Sequence, residues 1–391
     1  MGGLGKRTAL TLVVAAGQLA ILAVFVAIMP RFAPDAAGWA ANYFMAVAVT
    51  TPIFMFFGFE LRKITAAHDS GDVAGFNRLR LAGAGMASVL SMLCFPLVAM
   101  TGFADDLALF GGVVLFRLMQ AMNDQITANY EHRDEFVRSA VSASVRVPVF
   151  LLVALPVGWL ISPTTALFAG SLALVVVWFA YDRKHGSIPP NWAMRGRIPL
   201  NGQDLLAGTG AALISLNLSL PRFLAAALFG QDALNILGVG QALNRGGQTL
   251  AQSSTQALIA FQKIVGRQNL AKSRWVLAGV QAVIAVGLAI LMPLWAIIFD
   301  YVAHAPMFTT GLLMLFVFGF FSQINYLAQS MVLLHSGAGR FAASPLIFIV
   351  LFGLGAALLY AISALTFTNM LVLLIVARVG QFIQNSLLMR S

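Results

Sequence analysis

The 391-residue chain has one cysteine, five scattered histidines and only 10% charged residues. Soluble domains carry about 25% charge, so this composition excludes an ordinary soluble fold. Cys94 lies within an apolar stretch, which excludes a disulfide framework and a cysteine-based metal site. His68, His132, His185, His304 and His335 lack ligand spacing such as HExxH. There is no GxxxxGK[ST] loop and no extramembrane stretch long enough for a nucleotide-binding domain, so direct ATP drive is not expected. No catalytic constellation stands out. The expectation is a protein that is not an enzyme and uses no cofactor and no metal.

What the chain does have is apolar length. It is 60% hydrophobic, with a mean hydropathy of +0.86. Runs of roughly 20 residues, enough to cross a bilayer, fall near 8–30, 38–59, 81–103, 107–129, 141–161, 164–181, 204–229, 233–258, 275–298, 306–333, 342–365 and 368–388. The first follows Lys6 and Arg7 in the manner of a signal peptide. Its length, and the spans after it, make it the first membrane helix. The expected fold class is an all-α polytopic membrane protein with about twelve transmembrane helices.

The net charge of +10 raises the question of a nucleic-acid partner. Its distribution gives a simpler reason. Of 24 Lys and Arg, five lie inside spans, eighteen fall on one side and one, Arg31, falls on the other. Arg31 is accompanied there by Asp35, Asp105, Asp106, Asp232 and Asp300. By the positive-inside rule both termini are cytoplasmic. The basic excess is therefore topology, and no nucleic acid is expected.

The same count assigns the eighth segment. Gln241, Arg245, Gln248, Gln252 and Gln256 are spaced by four, three, four and four, so they share one helical face. If 233–258 did not span, every later loop would change sides and the charge rule would collapse. The segment is expected to span, with its polar face turned to a solvated interior.

The longest polar connection, 182–203, is rich in proline and glycine and lies at the midpoint. It divides the chain into an N-terminal six-helix lobe (1–181), a cytoplasmic linker (182–203) and a C-terminal six-helix lobe (204–391). Phe32, Asp35, Ala36 and Pro148 match Phe229, Asp232, Ala233 and Pro345 at an offset of 197, which in so apolar a chain does not by itself establish duplication. Two such lobes around a central cationic cavity suit a transporter with its site near the midplane.

Five arginines lie within apolar segments: Arg117, Arg146, Arg222, Arg245 and Arg378. Each costs about 2.5–3.5 kcal/mol at a helix centre, so water, partners or ligand must compensate. Arg146, near a span end, is placed to meet lipid phosphates. Arg222, in Asn217-Leu-Ser-Leu-Pro-Arg222, either lines a cavity or snorkels outward. Asp124, on the same face as Arg117 and Gln120, is either a counter-ion for an arginine or a carboxylate coupling transport to H+ or Na+. Ser322, Asn325 and Gln329 share a face of the tenth span, and Arg378 and Gln381 lie in the twelfth. Guanidinium groups bind phosphate bidentately, and amides suit sugar hydroxyls. The expected substrate-binding set is Arg245, Arg222, Arg117, Arg378, Gln241, Gln248, Gln252, Asn217, Asn325 and Gln329, holding a bulky phosphorylated anion.

Asn217 to Gly230, with Pro221-Arg222-Phe and then Ala233-Leu-Asn-Ile-Leu-Gly238, resembles the PR(Y/F)…LG signature of oligosaccharide repeat-unit flippases. The loop from Phe59 through Arg62-Lys63 and Asp72 to Arg78 is similar to that family's first cytoplasmic loop. These Wzx-like proteins form the polysaccharide transporter branch of the multidrug/oligosaccharidyl-lipid/polysaccharide (MOP) exporter superfamily. The resemblance implies a bacterial inner-membrane flippase that carries polyprenyl-diphosphate-linked oligosaccharides outward by alternating access, for O-antigen, capsule or exopolysaccharide. It also implies membrane lipids and a polysaccharide polymerase complex as partners, and it places Arg222 in the family motif. The alternatives are a cation-coupled small-molecule antiporter of the same superfamily and a non-transporting scaffold of a glycan-assembly complex. The antiporter requires an acid in the first or seventh span, and neither holds one at depth.

Overall fold

The computed structural model describes residues 2–58, 73–100, 102, 106–185, 202–265, 290–301 and 305–388, with isolated positions between 279 and 287. The side chains of 2–8, 245–265 and 305–308, with some single positions elsewhere, lie outside this description. So do most of the expected linker, the first half of the ninth span, and the side chains of Arg245, Gln248, Gln252 and Gln256.

No strand occurs among the described residues, because a bilayer leaves no partner for backbone groups other than those within the helix itself. The helices are α1 (Gly2–Ala27), α2 (Ala36–Phe56), α3 (Val73–Ala99), α4 (Leu107–His132), α5 (Phe136–Leu160) and α6 (Pro163–Val177). There follow α7 (Gly202–Val265), α8 (Met292–Phe299), α9 (Ala305–Ser336), α10 (Ala338–Ala343), α11 (Leu346–Ala361) and α12 (Phe367–Leu388). Polar side chains start several of them. Asp35, Asp106 and Ser162 accept from the backbone N–H of Gly38, Leu109 and Thr165 at 2.9–3.0 Å, satisfying donors that the first helical turn leaves open.

At 64 residues, α7 would run ~96 Å if straight, about three times a hydrocarbon core. It breaks at Gly230, whose φ of 82° and ψ of −165° belong to a region essentially restricted to glycine. The chain turns back there: Gln241 on the second limb donates to Leu218 O on the first at 3.0 Å. The two limbs are the seventh and eighth spans. The eleventh span is α10 with α11, and α8 closes the ninth. Among the described residues, eight stretches are long and apolar enough to cross a membrane by length and composition alone, α7 counting once as Gly202–Asn244. α4 is not among them, because one face carries Arg117, Gln120 and Asp124.

Aromatic groups from both lobes contribute to one continuous core. In the first, Phe25 meets Phe116 and Phe150 edge-on at 5.3 Å. In the second, Phe348 stacks on Phe352 at 5.8 Å and leans on Phe318. Large side chains such as Leu97, Leu152 and Leu354 point outward, as a lipid-facing surface requires. The lobes join where α1 and α2 pack on α7. A Cβ at Gly238 would overlap the Phe44 ring, so glycine is what lets α7 approach α2 this closely.

A shared polar clasp marks internal repetition. In the first lobe Asp182, ending the π turn Trp178–Asp182 that continues α6, accepts from Ser142 Oγ at 2.7 Å and from Tyr130 Oη at 3.1 Å. In the second, Asn385 Oδ1 on α12 accepts from Ser344 Oγ at 2.6 Å, and its Nδ2 donates to Asn325 Oδ1 at 2.6 Å. Ser142 and Ser344 stand 202 residues apart, and Asp182 and Asn385 stand 203 apart. In each lobe the fourth, fifth and sixth spans are thus tied together by one polar clasp. The offset differs from 197 by about one and a half helical turns.

Candidate functional site

The arginines at membrane depth meet different partners. Arg117 on α4 donates through Nη1 to Gln120 Oε1 (2.9 Å) and through Nη2 to Thr51 Oγ1 on α2 (2.6 Å). Both of these acceptors are neutral. Gln120, Asn123 and Arg146 line a small recess together with apolar groups of α1, α5 and α6. Asn123 accepts from Trp178 Nε1 at 2.7 Å, fixing one wall.

Arg146 does not reach lipid phosphate. It is 5% exposed, and its Nη2 lies 3.0 Å from Asp182 Oδ2. The sequence reading therefore needs two corrections. Arg146 is an internal ion-pair member, and Asp182 is not a loop acid but a fully buried carboxylate, unlike the partly exposed Asp124. Asp182 was overlooked because the apolar run ends at Tyr181. The i, i+4 pairing of Trp178 with Asp182 on one face was the available signal.

Asp124 lies 3.7 Å from Arg80 Nη2. Arg80 in turn donates to Gly58 O and Ala121 O at 3.1 and 3.2 Å. Arg80 was expected in a cytoplasmic loop, but it sits half-buried in α3, where it bridges α2 and α4.

Arg222 is 4% exposed, lies over the Phe44 ring at 5.9 Å, and lines a small inter-lobe pocket with Leu22, Val26, Tyr43, Val47, Gly238 and Ala242. Asn217, one turn away on α7, is fully buried. Gln241 is buried and spends its amide N–H on Leu218 O, tying the two α7 limbs.

Arg378 is 3% exposed and has no carboxylate within ion-pair distance among the described residues. Its Nη1 donates to Gln381 Oε1 at 2.6 Å, its Nε has no partner, and the rings of Phe318 and Phe348 lie 4.9 and 4.6 Å from its guanidinium carbon. Gln381 continues to Ser344 O at 3.3 Å, linking Arg378 to the Ser344–Asn385–Asn325 clasp. Gln329 is buried, with its Nε2 unpaired. The expected residues thus separate into a first-lobe group at Arg117, an inter-lobe position at Arg222 and a second-lobe group at Arg378. Arg245, Gln248 and Gln252, expected to join them, lie outside the described side chains.

The outer ends of the lobes hold contacts that the sequence did not signal. Arg31 Nη2 donates to Ile298 O at 3.0 Å, and its guanidinium carbon lies 4.8 Å from the centre of the Tyr301 ring. Tyr301 Oη donates to Val26 O and Ala27 O at 3.2 and 2.9 Å. Burial pushes the Tyr301 hydroxyl up to about 12, so it remains a protonated donor at ordinary pH. Nearby, Asn235 Nδ2 donates to Ala37 O at 3.1 Å.

With this geometry in view, solved structures give the fold. A multidrug resistance MATE family transporter of the MOP superfamily, in an outward-facing conformation, superposes with a TM-score of 0.70 over 98% of this chain and 97% of its own, at 12% identity. A MOP superfamily transporter from Pyrococcus furiosus, reported to have a binding pocket of reverse polarity that suggests a different function, gives 0.68 over 99% and 95%, at 11% identity. A MATE transporter from Vibrio cholerae gives 0.66 over 99% and 96%, at 15% identity. The chain shares the fold of these transporters. No protein-family model matches the sequence, and no curated protein is similar enough to match. A multi-pass membrane protein with a transporter's architecture is what these likenesses support.

Proposed function

We propose that the protein is a flippase that moves a polyprenyl-diphosphate-linked oligosaccharide across a bacterial inner membrane by alternating access. One observation carries the reading: the charge balance at depth is positive. Asp124 and Asp182 are both engaged by arginines, Arg80 and Arg146. Arg117 donates to the neutral Thr51 and Gln120, and Arg378 donates to the neutral Gln381 with no carboxylate within ion-pair distance among the described residues. Exposing such groups to an alternating cavity favours a diphosphate or acidic sugar and opposes an organic cation. Amides beside them, among them Asn123, Asn325 and Gln329, suit glycan hydroxyls. The proposal places the site between lobes 1–181 and 204–391, with 182–203 as their cytoplasmic linker.

The test is replacement of Arg117, Arg222, Arg245 and Arg378 by glutamine, one at a time, scored for surface glycan in a host that depends on this gene. Full export by all four, at normal protein levels, would sink the reading.

The near full-length likeness to MATE transporters favours a second reading, an antiporter coupled to H+ or Na+. Asp124→Asn separates the two. In the flippase reading, export in vesicles keeps its response to the ion gradient, because Asp124 serves Arg80. In the antiporter reading that response disappears.

A further inference from the structure

We infer that Arg31 and Tyr301 form a reciprocal latch that holds the outer side of the transporter closed. Residues 26–31 and 298–301 stand on the side that the positive-inside count assigns to the exterior, at the ends of α1 and α8. The last carbonyls of a helix have no partner within it. Val26 and Ala27 end α1, and Ile298 is the penultimate residue of α8. Tyr301, from the second lobe, donates to the first pair, and Arg31, from the first lobe, donates to Ile298 O. Each lobe therefore satisfies the open helix end of the other. The contact of the guanidinium with the Tyr301 ring at 4.8 Å joins the two halves of the exchange. A cation at a helix C-terminus also gains from the helix dipole.

Directly beneath, the same interface is sealed by Asn235 on Ala37 O and by Phe44 against Gly238, down to the pocket at Val47 and Ala242. The latch uses hydrogen bonds at an exposed edge, of the strength an interface needs if it is to open and close repeatedly. Its role is to set how often the outer side opens. The inference rests on the alternating-access reading, but not on what the cargo is.

The test uses the full-length protein in intact cells, with Cys94→Ser removing the only native cysteine and Val47→Cys as a reporter below the seal. The readout is the rate of modification by a membrane-impermeant thiol reagent added outside. Tyr301→Phe removes one oxygen and leaves the ring, so folding is preserved. It is expected to raise the rate about five- to tenfold, the loss of roughly one hydrogen-bond equivalent. Arg31→Gln is expected to act in the same direction, and the double variant to exceed neither single by the full product of the two. Parental labelling rates in both singles, with unchanged melting in detergent, would overturn the latch. Because the readout is labelling, export lost or kept in the cargo-site variants does not affect it.

Discussion

Arg146 and Asp182 meet at 3.0 Å with 6% and 0% of their side chains exposed. Tyr130 and Ser142 complete the carboxylate's shell. Breaking a buried pair by removing one partner leaves the other charge unpaired, at about 3–5 kcal/mol. Asp182→Leu and Arg146→Leu should each lower the melting temperature sharply in detergent. The double replacement should cost much less than their sum. Additive losses in that cycle would show that the two charges do not depend on each other.

The clasps of the two lobes should be of similar strength. Ser142→Ala and Ser344→Ala each strand a buried oxygen, at about 1–3 kcal/mol. Comparable losses in thermal stability are expected. A loss confined to Ser142 would mean that the second clasp, built on Asn385, is not the counterpart of the first.

Arg378 should behave differently from Arg146. Among the described residues it has no carboxylate to strand, so replacing it by methionine removes a buried charge and keeps much of the volume. Stability should hold or rise, by up to ~1–4 kcal/mol, while in the flippase reading glycan export falls. A strongly destabilised Arg378→Met protein would instead assign Arg378 to packing between Phe318 and Phe348.

Gly238→Ala places a methyl into the ring of Phe44, which is itself 3% exposed. Overpacking of this kind costs about 1–3 kcal/mol. Phe44→Leu in the same chain should recover most of it, as a double-mutant cycle on melting temperature would reveal. Failure of the rescue would mean that the backbone approach of α2 and α7 is not limited by this ring.

Much of the fold is legible in the sequence. Apolar runs place the helices, and the charge count keeps as a helix the polar limb of α7 that hydropathy alone would question. The reversal at Gly230 was not legible, because a glycine of unknown φ inside a helical pattern reads as packing. The site was only partly legible. Arg117, Arg222 and Arg378 are conspicuous because charge in an apolar run is costly. Their partners are not, since Thr51, Gln381 and Phe318 are ordinary residues in membrane helices. Asp182 was hidden by its place just past the apolar run, where only the π turn keeps it in the helix. Tyr301 was invisible for a different reason: it binds backbone carbonyls of α1, and a carbonyl has no letter in a sequence.

The rim assigned to the exterior has an electrostatic consequence. Asp35 and Asp106 stand at the starts of α2 and α4, Asp300 just past α8 and Asp232 just past the α7 turn at Gly230, and Arg31, the one basic residue that the charge count assigns to that side, donates to Ile298 O. In the flippase reading, an anionic cargo would cross this rim against like charge, a barrier that salt screens over about 8 Å and that is the same for leaving and for returning. The rim would then slow passage without setting its direction, which falls to the conformational cycle.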